Sequence, residues 1–180
     1  MARSHRHERS AVHGATHLPR IECRPPADVP GTMRPYRPGD RDLALRWLDA
    51  FIAEALPSEH VHEAAEVILE RRVDEPEGGL VLWHVDDEPV SLAGFGGPTP
   101  DGIRIGPVYT PPELRRHGYA SALVGRTTAM LLGSGRRFCF LFTDLANSTS
   151  NNIYRNVGYE AVTDVDQYAF DEAPLSVRRG

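Results

Sequence analysis

Between residues 40 and 56 the apolar positions recur at helical spacing, with Leu43, Leu45, Trp47, Leu48, Phe51 and Ile52 on one side. This pattern predicts an amphipathic first helix with Asp40 as its N-cap. Pro57 and Ser58 interrupt it. Ser58 is then expected to cap a second helix, in which Val61, Ala64, Ala65, Ile68 and Leu69 form one stripe. After Gly78-Gly79 the period changes. Residues 80–85 are a short apolar run, Asp86-Asp87 a turn and residues 89–95 a second run, which together predict a β-hairpin. Asp101-Gly102 makes the next turn, ahead of a strand over residues 103–109.

A loop over residues 110–116 leads to a helix over 118–132, stopped by Gly133-Ser134-Gly135. Residues 138–142 are continuously apolar, as expected for a strand covered on both faces. A second loop, residues 144–148, precedes a short helix ending at Gly158, and residues 159–162 and 167–170 read as closing strands. The order is α+β: two helices, an antiparallel meander, then a β-α-β-α-β unit with no internal repeat. Residues 1–33 show neither period and are rich in His, Arg and Pro, so they are expected to be a disordered extension. The folded domain is expected over residues 34–180, beginning at Arg34-Pro35-Tyr36. His5, His7, His13 and His17 are irregularly spaced and lack a supporting carboxylate or cysteine pattern, which favours a solvated tail over a metal site.

Composition narrows the class. A chain of 180 residues, 41% hydrophobic and 25% charged, fits one domain with a real core. No apolar run approaches the roughly 18 residues of a membrane span, and no apolar stretch follows the N-terminal basic residues as in a secretory signal. Residues 1–33 carry five Arg and three acidic residues, leaving 15 basic and 22 acidic in 34–180, a net charge of −7. That balance argues against nucleic acid as the partner and suits a cationic amine. All 20 basic residues are Arg, for which we have no physical account. Cys23 lies in a polar, Pro-rich stretch and Cys139 in the apolar run, so they form no disulfide framework, and a reduced, cytoplasmic protein is expected.

The most informative segment runs from Arg104 through Pro107, Val108, Tyr109 and Thr110 to Arg115-Arg116-His117-Gly118-Tyr119-Ala120. A strand delivers a tight loop that opens a helix, and the free N–H groups and positive dipole end of that helix form an anion site. Gly118 lets a ligand approach the backbone, Ala120 keeps the first turn small, and Arg115 and Arg116 add positive charge. Glu113 has the wrong sign and is expected to turn away. Other phosphate loops fit worse: there is no G-x-x-x-x-G-K-[ST], and Gly94-Phe95-Gly96-Gly97 lacks the spacing and following helix of a dinucleotide fingerprint.

Arg115, Gly118 and Ala120 match [QR]-x-x-G-x-[GA]; after a helix and a strand, Asn147, Ser150, Tyr154, Gly158 and Tyr159 match N-x-x-[AS]-x-x-x-Y-x-x-x-G-[FY]. With both motifs in this order, the chain resembles the GNAT superfamily of acetyl-CoA-dependent N-acetyltransferases. Within it, the chain resembles the predicted acetyltransferases that carry F-x-F-L-F-T-D-L-A-N. The resemblance covers residues 80–171, and 34–79 by helix order only. It implies a GNAT fold, with a mixed central sheet of about six to seven strands and about four flanking helices. It also implies an acyltransferase with acetyl-CoA as cosubstrate and no metal. Val108, with Tyr109 and Thr110, would pair with the pantetheine arm like an added strand. The N–H groups from Arg116 through His117, Gly118 and Tyr119 to Ala120, with Ser121, would hold the pyrophosphate. Asn147 would hydrogen-bond the pantetheine, with Asn151 nearby, and Tyr154 would place its hydroxyl beside the sulfur. On that basis a neutral amine attacks the thioester within a ternary complex. A strand N–H near Val108 receives the oxyanion, and Tyr154 protonates the departing thiolate.

The base is not fixed by these motifs, with His84 or a carboxylate acting through water both open. Glu59, Glu63, Glu66 and Glu70 would share a face of the second helix, either toward a cationic acceptor or as a solvated face eased by Arg71, Arg72 or a partner chain. The acceptor is expected to be a small-molecule or peptide amine. A non-catalytic acyl-CoA sensor and a longer acyl donor are the competing readings. Oligomeric state is left open, a homodimer included.

Overall fold

A computed structural model of the chain describes residues 9–10, 15–19, 23–55, 63–144, 146–165 and 167–168. Its strands are β1 (Arg9–Ser10), β2 (Ala15–Pro19), β3 (Thr32–Pro35), β4 (Gly79–Val85), β5 (Glu88–Gly96), β6 (Gly102–Tyr109), β7 (Phe138–Phe142), β8 (Glu160–Thr163) and β9 (Gln167–Tyr168). The α-helices among the described residues are α1 (Arg41–Ala55), α2 (Ala65–Asp74), α3 (Tyr119–Gly133) and α4 (Ser148–Val157). The fold is the expected α+β one. Seven strands form a mixed sheet in the order β3-β4-β5-β6-β7-β2-β8, while β1 and β9 pair separately.

Local chemistry sets the helix ends. Asp40 accepts from Arg34 Nη1 at 2.7 Å, Arg34 Nη2 at 2.8 Å and the Arg37 amide at 2.8 Å, so it anchors the turn that enters α1. Asn147 caps α4, its side chain accepting from the Ser150 amide at 3.0 Å, and Gly158 ends that helix in the left-handed region at φ 111°. The second helix begins later than its apolar stripe suggests, at Ala65, with no side-chain cap at Ala64. The expected Ser58 cap lies outside the described residues.

The apolar stripes bury two layers against the sheet. On one face Ala44, Leu48, Ala65, Ile68 and Leu69 of α1 and α2 pack on Leu80 and Leu92. On the other, Val124, Leu131, Leu132 and Val157 of α3 and α4 pack on Ile103, Ile105, Cys139 and Leu141. Full burial of each of the leucine, isoleucine and valine side chains contributes about 1.5–3 kcal/mol.

Two expectations need correction. Described residues within 1–33 are not a loose extension. The backbone of β2 pairs antiparallel with both β7 and β8. Further on, Cys23 Sγ donates to the Gly125 carbonyl at 3.2 Å, the Arg24 amide to Val157 O at 2.9 Å, and Trp83 Nε1 to Pro30 O at 2.8 Å. These partners lie far away in sequence, so no local period reveals them. Nor is β7 covered on both faces. Cys139 and Leu141 are buried, but Phe138 and Phe140 are half-buried and Phe142 is exposed.

β6 and β7 run parallel and pair only from Gly102↔Phe138 to Arg104↔Phe140, although β6 continues five residues further, to Tyr109. The two strands therefore form a fork whose crotch is Arg104. On its other side β6 stays paired, with Ala93↔Val108 and Leu92↔Tyr109. There Gly106 and Pro107 stand opposite the single residue Gly94, a bulge that shifts the alternation of side chains along β6. A Cβ at Gly94 would come within 3.0 Å of Gly106 O and of Pro107 Cδ, so glycine allows this close approach.

Candidate active site

The loop from β6 to α3 ends in a turn that leaves donors open. Arg116 and Gly118 both take the left-handed conformation, at φ 69° and 83°. The first helical bond of α3 is Ala122 N–H to Gly118 O, at 2.9 Å. Among the described residues the N–H groups of Arg116, His117, Gly118, Tyr119, Ala120 and Ser121 have no acceptor. With the helix dipole behind them they form a positive cradle of the kind anions occupy. The Arg116 side chain, exposed and without a carboxylate partner among the described residues, adds a full charge. His117 turns back on the loop, its Nδ1 3.3 Å from Leu114 O and its ring stacked on Tyr119 at 5.3 Å.

Arg115 points elsewhere. Its Nε donates to Thr110 O at 2.9 Å and its Nη2 to Glu54 Oε2 at 2.5 Å, while its guanidinium sits 5.8 Å from the centre of the Tyr109 ring. The matching motif position thus fastens the loop to α1, away from the cradle. Glu54, which nothing in the sequence singled out, also accepts from the Tyr109 hydroxyl at 3.3 Å. Burial, then Glu54, raises the Tyr109 pKa. Ser91 completes this corner by donating to Tyr109 O at 3.0 Å and meeting Thr110 Oγ1 at 2.8 Å.

Val108 is half-buried and touches the core beneath α3, as does Tyr154 from α4. The Tyr154 ring meets Tyr159 edge-on, 6.0 Å between centres, and desolvation pushes its pKa up to about 12. At neutral pH the hydroxyl is therefore firmly protonated. Asn147 uses its side-chain oxygen as the α4 cap, which leaves its amide hydrogens for another acceptor. Asn151 Nδ2 donates to Asp144 O at 3.0 Å and so braces the loop before α4. His84 lies on β4 opposite Thr32 of β3, two strands from β6, with Nδ1 3.1 Å from Asp87 O. It is remote from the fork. Among the described residues no three His, Cys, Asp or Glu side chains converge as metal ligands, and no helix is long and apolar enough to cross a membrane.

Comparisons with known proteins place this arrangement in a family. The family model described as the Acetyltransferase (GNAT) family matches residues 44–159, and the chain belongs to that family, which uses acetyl-CoA. The fold resembles a GCN5-related N-acetyltransferase from Kribbella flavida, with TM-score 0.63, 20% identity, 87% of this chain and 57% of that one. A GCN5-related N-acetyltransferase from Sphaerobacter thermophilus gives TM-score 0.63, 20% identity, 89% of this chain and 53% of that one. A GNAT family acetyltransferase from Brucella melitensis, solved in complex with acetyl-CoA, gives TM-score 0.55, 20% identity, 78% of this chain and 96% of that one. Across the first four solved structures it resembles, this chain spans 49–65% of their length. No curated protein matches the sequence.

Proposed function

We propose that the chain is an N-acetyltransferase that moves the acetyl group of acetyl-CoA to a primary amine of a small molecule or peptide by direct attack in a ternary complex. One observation carries this reading: the edge of β6 opens beyond Arg104, while unpaired N–H groups stand at the start of α3 and both Val108 and Tyr154 pack against one core cluster. A pantetheine arm laid along that edge pairs with β6 near Val108, and its pyrophosphate meets residues 116–121. Asn147 offers its amide hydrogens to the arm.

The amine lone pair attacks the thioester carbon, the N–C bond forms, and the tetrahedral oxyanion is received by a β6 N–H near Val108. As the C–S bond breaks, the thiolate takes the Tyr154 proton. The proton lost from the amine nitrogen returns to Tyr154 through solvent, which balances the step. A phenol held at about 12 remains the acid form throughout neutral pH, and desolvation sets that value. Much of the rate on this account comes from holding amine and thioester together. The chain works as one folded domain with β2 and residues 23–33 included, in a reduced cytoplasm where Cys23 and Cys139 stay free thiols.

The test is release of free thiol from acetyl-CoA across a panel of primary amines, with acetylated product identified by mass. Release that requires one class of amine supports the transferase. Tight acetyl-CoA binding without amine-dependent release would make the chain an acyl-CoA-binding module instead, and absence of binding would sink both.

A further inference from the structure

On the face of the sheet that carries α1 and α2, three guanidinium groups gather at the crotch of the fork. Arg71 makes a bidentate pair with Glu63 at 2.8 and 2.7 Å. Arg72 is buried, with Nε donating to Gly106 O at 3.2 Å and Nη1 3.5 Å from Glu75. The guanidinium of Arg104, the third, has no hydrogen bond and no carboxylate partner among the described residues. Its guanidinium rests 5.1 Å from the centre of the Phe142 ring. Three cations thus face two carboxylates, and the uncompensated charge is the accessible one.

The wall beside Arg104 is aromatic. Phe140 lies 6.1 Å from Phe142 and 6.3 Å from Phe138, all three on the face of β7 that no helix covers among the described residues. Ile103 and Ile105 point into the α3 layer, so Arg104 points to the opposite face. The bulge returns Tyr109 to that same face, where it meets Trp47 and Glu54. Arg104 therefore shares its face with the mouth of the fork. Phe142 stands two residues past Phe140 along β7, so the guanidinium leans toward Val108. At about 3.3 Å per residue, the lean leaves roughly 7 Å along β6 to the level of Val108. One small molecule spans that gap.

We propose that Arg104, flanked by Phe140 and Phe142, is the subsite for a carboxylate on the acceptor, which is a small primary amine bearing that carboxylate. The proposal rests on the transferase reading of the same fork. A guanidinium favours a planar carboxylate through paired N–H donors, and the phenyl wall covers the carbon chain between the two charges. An amine that is also a carboxylate reconciles an acidic chain with a bare arginine at its mouth.

The test uses the full chain, acetyl-CoA and matched acceptors that differ by one carboxylate: 4-aminobutyrate against propylamine, lysine against cadaverine, phenylalanine against phenethylamine. Thiol release is expected to favour the carboxylate member of at least one pair by about tenfold or more in kcat/KM. Arg104→Gln is expected to raise KM for that acceptor by about tenfold, with KM for acetyl-CoA unchanged, and Arg104→Lys to recover part of the loss. Equal or better turnover of the uncharged member in every pair overturns the proposal, as does an Arg104→Gln enzyme with unaltered KM. If no amine is turned over, calorimetric titration of the three carboxylate acceptors into protein saturated with CoA decides. Binding that Arg104→Gln abolishes supports the subsite although the transferase reading fails; no binding overturns the subsite.

Discussion

Arg115 closes onto Glu54, Nη2 to Oε2 at 2.5 Å, and this contact turns the loop ahead of α3 toward α1. Both side chains are more than a third exposed, so the pair contributes at most about 1 kcal/mol. Arg115→Ala is expected to shift urea unfolding by no more than that and to change KM for acetyl-CoA by less than about threefold. A tenfold rise in KM would mean that Arg115 swings over to the phosphates.

Gly118 is a sharper constraint. It sits at φ +83°, and a Cβ there would stand 2.9 Å from Val29 Cγ2. Gly118→Ala is expected to cost about 1–3 kcal/mol of stability and to weaken acetyl-CoA binding by about tenfold or more, read by calorimetry on the folded variant. Unchanged affinity would remove the cradle from the account.

Asp40 gives a pH signature at the other end of α1. Its hydrogen bonds from Arg34, the largest cause, hold its carboxyl below the usual range. A depressed folded pKa contributes stability that is full above the unfolded value of about 4 and is lost as pH falls through the folded value. Asp40→Asn is expected to lower stability by about 1–2 kcal/mol at pH 7, with the gap closing as pH falls below about 4. Denaturant titrations at pH 7, 5 and 3 check it, and a gap undiminished at pH 3 contradicts the assignment.

Tyr154 and Tyr159 respond at the opposite end of the scale. Desolvation raises both, Tyr154 to about 12, and Tyr159 meets Thr128 Oγ1 at 2.8 Å in the core. A raised folded pKa contributes stability that is full below the unfolded value of about 10 and is lost as pH rises toward the folded one. The melting temperature is therefore expected to fall above about pH 10. For catalysis, kcat should show no alkaline limb below about pH 10, and Tyr154→Phe should lower kcat about 10²-fold or more, with KM for acetyl-CoA nearly unchanged. A limb near pH 9, or a phenylalanine variant as fast as wild type, would take the acid role from Tyr154.

Much of this was legible in the chain. Residues 80–109 announced their hairpin and strand through turn pairs and apolar runs, and the start of α3 through Gly118. Asn147 and Tyr154 fell at the N-cap and on the core-facing side of α4. What stayed hidden depends on partners far away in sequence. β2 is five residues in a His- and Arg-rich stretch, and its partners are residues 138–142 and 160–163. The direction of Arg115 depends on Glu54, which local spacing cannot relate to it. The apolar run at residues 138–142 concealed a half-open face, because an aromatic wall and a buried strand have the same composition.

The most direct measurement is the structure of the chain with acetyl-CoA bound. The pyrophosphate should accept the N–H groups of residues 116–121, the arm should lie along β6 beyond Arg104, and the Tyr154 hydroxyl should stand within about 3.5 Å of the sulfur. A thioester lying outside the fork, or a sulfur far beyond hydrogen-bond reach of Tyr154, would contradict the mechanism.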